Sequence, residues 1–225
     1  MGMVTIGADI GQKRDPSAIA VADATWRVTD GQVEDYYQIR FLERLPLGTD
    51  YPAVAARIAS VASNAQRHGG HVARLNVDVT GVGRPVSDMI PPLLARLGVG
   101  APVWAVSFTF GDRLTERADD REATLGKAWL VSRLQVLLQG KRLLLPDTAE
   151  ARALAAELLV YEIRVNDNGN EQFGAFKVGT HDDLVTALGL TVMTTPPRPV
   201  TPLRVVVEPP HPAIAAAFER YRTYG

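Results

Sequence analysis

The sequence predicts an α/β domain in which helices flank a mixed β-sheet. Three strand-like segments open the chain, the hydrophobic period then changes to that of a helix, and strands and helices alternate from there on. With 225 residues, of which 46% are hydrophobic and 22% charged, the chain is long enough to bury one sizeable core. We therefore expect three antiparallel strands followed by parallel strands in one sheet.

The N-terminal part supplies the antiparallel strands. The segment MVTIGADIG (Met3 to Gly11) is a short apolar run typical of a central buried strand. Ala18 to Val28 and Val33 to Leu45 are typical of strands because they are rich in branched and aromatic residues, and TDGQ between them matches a hairpin turn. Apolar residues at helical spacing then run from Val54 to Ala65, and Gly69–Gly70 ends this helix.

The remaining elements alternate. The sequence predicts a fourth strand at Val72 to Gly83 ending in a glycine-rich loop, and a helix through Asp88 to Leu97 that Pro91–Pro92 interrupts or starts. A fifth strand at Ala101 to Phe108 and helices at about Arg121 to Leu138 and Thr148 to Tyr161 follow. The segment from Glu162 to Val178 is predicted to be a hairpin with its turn around Asn168–Gly169. THDDLVTALGL then begins the last core helix. Because seven prolines fall between Pro196 and Pro212, we expect a domain over 1–195 and a Pro-rich tail over 196–225 with a short terminal helix.

Composition and motifs exclude several classes. The chain has no Cys, which rules out disulfides and thiolate zinc sites, and it has neither a signal pattern nor a membrane-spanning apolar run. A net charge of −1 does not indicate nucleic-acid binding, although 20 Arg against 4 Lys suits phosphate recognition as well as it suits a GC-rich genome or a warm habitat. Val86 breaks a dinucleotide fingerprint, and Arg121 and Ala128 break a P-loop.

Three acidic positions stand out. Asp9 and Asp78 each end an apolar strand and are followed by glycine-containing turns, and Asp182–Asp183 begin the last helix. Each has a structural alternative: a hydrogen-bonded Asp, a turn-forming Asp, and a capping pair with Thr180 as N-cap. Together, however, they would repel one another unless a hard divalent cation with oxygen ligands neutralised them. Two such ions activate a water and stabilise the leaving oxygen of a phosphodiester.

Helical geometry separates the adjacent pair. At 100° per residue, Asp183 lies at the border of the inward face and Asp182 points largely away from it. We therefore expect Asp183 to be the direct ligand and Asp182 a flanking or second-metal group. His181 either assists or is a surface residue.

The segments GADIGQKRDPSAIAV, NVDVTGVGRPVSDMI and THDDLVTALGL, in this order and roughly 70 and 105 residues apart, resemble the nuclease domain of tailed-bacteriophage large terminase subunits. The resemblance covers about Val4 to Met193. It implies a ribonuclease H-like fold and an endonuclease that cuts concatemeric viral DNA during genome packaging.

Carried over residue by residue, the resemblance implies that Asp9, Asp78 and Asp183 are catalytic and that these three and Asp182 bind Mg²⁺ or Mn²⁺, two ions in all. Asp15 and Thr80 lie beside the motifs and could support the ligands, and Arg14, Arg84 and Lys177 are candidates for DNA contacts. The implied partners are double-stranded DNA, the packaging ATPase domain, the small terminase subunit and the portal, in the cytoplasm of the infected bacterial host.

One departure and three alternatives accompany this resemblance. A full terminase subunit begins with a P-loop ATPase that this chain lacks, so the chain is either an excised domain, as MGMV at its start suggests, or a separately encoded nuclease. A Holliday-junction resolvase-like nuclease shares the fold and the acids. An actin-like or sugar-kinase ATPase also begins with ADIG but needs a second domain, and a non-catalytic packaging domain would use the acids only structurally.

Overall fold

Eight strands form one mixed sheet, and a separate two-stranded hairpin precedes the last helix. This computed structural model describes residues 2–11, 13, 15–29, 31–160, 162–165, 171–174 and 182–197. The strands are β1 (Met3–Asp9), β2 (Ala18–Thr29), β3 (Gln32–Arg44), β4 (Val72–Asp78), β5 (Val103–Thr109), β6 (Leu114–Arg117), β7 (Glu122–Gly126), β8 (Leu143–Leu144), β9 (Glu162–Val165) and β10 (Glu171–Gly174). The helices are α1 (Tyr51–Gly69), α2 (Gly83–Arg96), α3 (Lys127–Gln139), α4 (Ala149–Val160) and α5 (Asp183–Val192).

The sheet has the mixed topology that the sequence predicts. Its strand order is β6-β7-β5-β4-β1-β2-β3-β8. Strands β1, β2 and β3 are antiparallel neighbours, while β4, β5 and β7 continue from β1 in parallel. β1 is buried at the centre of the sheet, as its apolar run indicates. The predicted fold class is therefore confirmed.

Helices cover both faces of the sheet. Alternate residues of β2 face opposite layers, with Ile19 and Val21 packing in the α1–α2 layer and Ala18 and Ala20 packing in the layer of α5, α3 and α4. The small alanine side chains let α5 lie close to the sheet. Nine of the ten residues of α5 are buried because α3 and α4 cover its outer side. The first residues of this buried helix are held at the sheet edge that carries the acidic residues.

Two buried polar side chains of the sheet bind the C-terminal end of α5. Thr5 on β1 donates from Oγ1 to the carbonyl of Thr191 at 3.1 Å, and Asn76 on β4 donates from Nδ2 to the carbonyl of Leu190 at 2.8 Å. The last carbonyls of a helix have no partner within the helix, so these bonds satisfy them. Both polar residues in otherwise apolar strands therefore fix the position of α5 along the sheet.

The predicted boundaries differ from the structure at two helices. The helix predicted from Arg121 begins at Lys127, because Glu122–Gly126 pairs with β5 as strand β7. The helix predicted from Asp88 begins at Gly83 and continues through Pro91–Pro92, which lie on its exposed side, where carbonyls left without N–H partners can be hydrated. The short strands β6 and β8 are not predicted by the hydrophobic pattern.

The C-terminal predictions are tested only in part. Antiparallel pairing of β9 with β10 confirms the hairpin, although its predicted turn lies outside the described residues. Thr148 caps α4 by accepting a hydrogen bond from Ala151 N at 3.2 Å, in agreement with a helix beginning there. Residues 198–225 of the predicted tail lie outside the described part of the chain. The first two residues of the tail, Pro196 and Pro197, accept hydrogen bonds at their carbonyls from the indole N–H of Trp26. No helix among the described residues is long and apolar enough to cross a bilayer.

Candidate active site

Two aspartates end neighbouring parallel strands at the same edge of the sheet. Ala8 on β1 pairs with Val77 on β4, so the next residues, Asp9 and Asp78, end their strands side by side. The carboxyl group of Asp78 lies close enough to that of Asp9 to raise its pKa. The structure thus brings together the first two acidic positions that the sequence predicts.

The start of α5 brings the other two aspartates to the same place. Asp182 and Asp183 line a cleft of about 410 Å³ together with Asp9, Asp78 and Asp15. Two cations, Lys13 and Lys127, lie on the wall of this cleft, and Phe108 contributes an aromatic side chain. We refer to this space as the acidic cleft.

Burial and mutual repulsion perturb the carboxylates of the acidic cleft. Burial raises the pKa of Asp9 well above its usual value of 3.8, and repulsion by the aspartates at 78, 182 and 183 raises it further. Burial also raises the pKa of Asp78, although hydrogen bonds from Thr80 and the charge of Lys127 oppose that rise. The carboxylates at 9, 78, 182 and 183 therefore lie close enough to repel one another, which is typical of a site that binds a positive charge.

The loop after β4 holds Asp78 in place. The Thr80 N–H donates to Asp78 Oδ1 at 2.7 Å, and Thr80 Oγ1 accepts from the Phe108 N–H at 2.7 Å. A Cβ on Gly83 would lie 1.8 Å from the carbonyl oxygen of Asp78, so only glycine lets the start of α2 pack this closely on the end of β4. Asp78 is thus a turn-forming residue and a wall of the acidic cleft at once.

The start of α5 differs from the predicted capping arrangement. Thr180 lies outside the described residues, and α5 begins at Asp183, so Asp183 is the first helical residue rather than the third. Asp182 occupies the N-cap position with φ of −129° and makes no side-chain capping bond. Asp182, which was expected to point away from the inward face of the helix, is more exposed than Asp183 and is one of the residues that line the acidic cleft.

A residue of another helix caps α5 instead. Glu157 of α4 accepts at Oε2 from the N–H groups of Leu184 and Val185, at 3.1 and 3.3 Å. Asp183, only 2% exposed, accepts at Oδ2 from Nε of Arg44 at 2.6 Å, and Arg44 also pairs with Glu157. Sequence reasoning missed both residues, because nothing in the pattern around either one indicates a partner in α5.

The predicted DNA-contacting residues are only partly located. Arg84 lies on α2, exposed, and pairs with Glu122 at 2.7 Å without lining the acidic cleft. Arg14, Lys177 and His181 lie outside the described residues. Lys127 was identifiable only as part of ATLGKAW, a segment that fails as a P-loop but starts α3 at the wall of the acidic cleft.

The donor set fits a hard divalent cation. The aspartates at 9, 78, 182 and 183 offer only oxygen ligands, and a cation bound among them would remove the repulsion that raises the pKa of Asp9. Within the described ranges, no group of three or more acidic or histidine side chains is already placed so that it could hold a metal ion. An open arrangement suits Mg²⁺, which keeps several waters and uses one or two carboxylates per ion.

Solved structures of viral nucleases resemble this chain. The large terminase nuclease from thermophilic phage G20c with bound cobalt matches with a TM-score of 0.56 and 23% identity, over 87% of this chain and 82% of that one. The Thermus phage P74-26 large terminase nuclease domain matches with a TM-score of 0.54 and 21% identity, over 88% and 82%. The Mn-soaked human cytomegalovirus terminase nuclease domain matches with a TM-score of 0.54 and 14% identity, over 85% and 83%.

No family model matches the chain, and no curated protein matches it significantly. At these low identities the structural matches establish the fold. The chain has the mixed α/β fold of the large terminase nuclease domains.

Proposed function

We propose that this chain is a metal-dependent DNA endonuclease that cuts concatemeric viral DNA during genome packaging. The observation that carries the proposal is the convergence of Asp78, Asp182 and Asp183 on the carboxyl group of Asp9 in one open cleft. A structural role alone would not require several carboxylates to repel one another at the surface end of a sheet.

The residues of the acidic cleft have different roles in this proposal. Asp9, Asp78 and Asp183 are the catalytic ligands, and Asp182 flanks them as a ligand at the rim. Bound divalent cations supply the charge that activates a water and stabilises the leaving oxygen of a phosphodiester. Lys127 and Lys13 bind the DNA backbone beside the carboxylates and offset their repulsion of phosphate.

The comparisons support divalent metal use and DNA as the substrate class. The G20c nuclease was solved with bound cobalt and the cytomegalovirus nuclease domain after soaking in Mn, which supports a divalent ion without selecting one. From the resemblance we propose Mg²⁺ or Mn²⁺, double-stranded DNA, and action beside a packaging ATPase, a small terminase subunit and a portal in the host cytoplasm. Phosphate contacts of this kind give little sequence specificity.

The test is cleavage of supercoiled plasmid with Mg²⁺, with Mn²⁺ or with EDTA, for the wild type, Asp9→Asn and Asp183→Asn. Replacing even an outer partner of a metal ligand costs about 10–100-fold in activity, so we expect losses above about 100-fold in both variants. Asp23→Asn is the matched control, because Asp23 lies on the neighbouring strand β2, opposite the start of β1, and pairs with Arg40.

Two outcomes would contradict the proposal. Cleavage that persists in EDTA or in Asp9→Asn would mean that the acidic cleft does not carry the reaction. Absence of cleavage with either ion, together with no binding of Mn²⁺ in a direct titration, would favour a non-catalytic packaging domain.

A further inference from the structure

The end of β3 carries an arginine in line with the acidic cleft. Asp9 pairs with Ala18 on β2, and Ala18 pairs with Arg44 on β3. Directly paired residues share a face of a sheet, so Arg44 lies on the α5 side, and two strand spacings place its backbone about 10 Å from that of Asp9. The preceding residue, Glu43, lies on the other face and pairs with Arg57 of α1 at 2.8 Å.

Arg44 joins two helices at this point. Its Nε donates to Asp183 Oδ2 at 2.6 Å, and its other arm pairs with Glu157 of α4. The side chain of Arg44 is 29% exposed, whereas those of Asp183 and Glu157 are 2% and 8% exposed. A guanidinium suits this position because its planar fork can bind two carboxylates in fixed directions, which an ammonium group cannot do.

Glu157 relieves the aspartates of a capping role. The first N–H groups of a helix lack partners within the helix, and a side chain of the N-cap residue commonly satisfies them. Here Glu157 binds the N–H groups of Leu184 and Val185, while Asp182 makes no capping bond. The carboxylates of Asp182 and Asp183 can therefore face the acidic cleft without leaving the helix end unsatisfied.

We propose that Arg44 and Glu157 are positioning residues that hold Asp183 and the start of α5 against the acidic cleft. Arg44 fixes one oxygen of Asp183, and Glu157 fixes both Arg44 and the backbone from which Asp183 projects. The inference rests on the proposed metal-dependent function. It adds that the geometry of a ligand depends on an arginine from β3 and a glutamate from α4.

The test is a titration with Mn²⁺ in the absence of DNA, followed through the electron paramagnetic resonance signal of unbound Mn²⁺. Arg44→Lys keeps the charge and loses the fork, so we expect about tenfold weaker binding. Arg57→Lys is the matched control, since it changes a similar ion pair on the opposite face of the same strand and should leave binding unchanged. Circular dichroism in EDTA checks that each variant is folded.

Further variants keep the outcome decisive. If Arg44→Lys does not fold, Glu157→Gln decides, because it keeps an acceptor for the α5 amides but loses the charge that pairs with Arg44; we expect about tenfold weaker binding there too. If Arg44 acts by its charge alone, Arg44→Gln binds Mn²⁺ more tightly and Arg44→Lys binds normally, which overturns the inference. Normal binding by both Arg44→Lys and Glu157→Gln also overturns it, whereas no binding by the wild type overturns the proposed function itself.

Discussion

Replacing Gly7 with alanine tests how closely α5 lies on the central strand. A Cβ on Gly7 would lie 2.1 Å from the carbonyl oxygen of Ala187, 2.8 Å from Cβ of Leu190 and 3.0 Å from the backbone nitrogen of Thr191. The nearest of these is a backbone atom, so no rotamer change relieves it. The helix must move by at least 0.9 Å to bring that contact even to 3.0 Å. This shift would carry Asp182 and Asp183 with it.

The expected magnitude follows from two opposing terms. Overpacking of this kind costs about 1–3 kcal/mol, and replacing glycine within a strand returns about 0.5–1 kcal/mol of chain entropy. Because the nearest contact is with a backbone atom, the overpacking cost falls in the upper part of its range, and we expect Gly7→Ala to lose about 1–2.5 kcal/mol of unfolding free energy, or about 2–10 °C in Tm for a domain of this size.

Urea and thermal unfolding in EDTA measure this loss. Gly100→Ala is the matched control, because nothing lies within 4 Å of its added Cβ and its φ is not positive, so its stability should be unchanged or slightly higher. If Gly7→Ala unfolded at or above the wild-type Tm, α5 would not lie directly on β1, and the placement of the aspartate pair at the acidic cleft would lose its basis.

Two further predictions concern charge. Because the pKa of Asp9 is raised in the folded state, protonated Asp9 contributes stability that is fully present below pH 3.8 and is lost as the pH rises through the raised pKa. In EDTA, Asp9→Asn should therefore have a higher Tm than the wild type near pH 7, and the two Tm values should converge as the pH falls toward 3.8. A pH series of melts without this convergence would contradict the prediction. If Lys127 contacts a phosphate, Lys127→Gln in the Asp9→Asn background should reduce the magnitude of the slope of log binding constant against log salt concentration for duplex DNA by about 0.9. Fluorescence anisotropy measures this slope. As the control, Lys141→Gln, just beyond the C-terminal end of α3, should leave the slope unchanged.

The sequence predicts the five longest strands of the sheet, β1 to β5, because each is marked by a local hydrophobic pattern. β1, β2 and β3 each alternate or run apolar over seven or more residues, so burial determines their faces. β7 was missed because its buried residues, Ala123 and Leu125, precede a helix whose apolar pattern continues the same run. A five-residue strand next to a helix is too short for its alternating hydrophobic pattern to be distinguished from helical spacing.

The aspartates of the acidic cleft also differ in how well local sequence patterns predict their positions. Asp9 and Asp78 are predictable because each ends an apolar strand, and parallel neighbours end at one edge. The adjacent pair at α5 is harder, since aspartates at a helix start ordinarily cap it. What resolves the ambiguity is Glu157, which caps from 27 residues away, and Arg44, which binds Asp183 from 139 residues away. No local spacing encodes such contacts, because they exist only once β3, α4 and α5 have packed. Without Glu157 the amides of Leu184 and Val185 would lose the partner that they have in this structure, and an aspartate at the start of α5 would be expected to cap the helix instead.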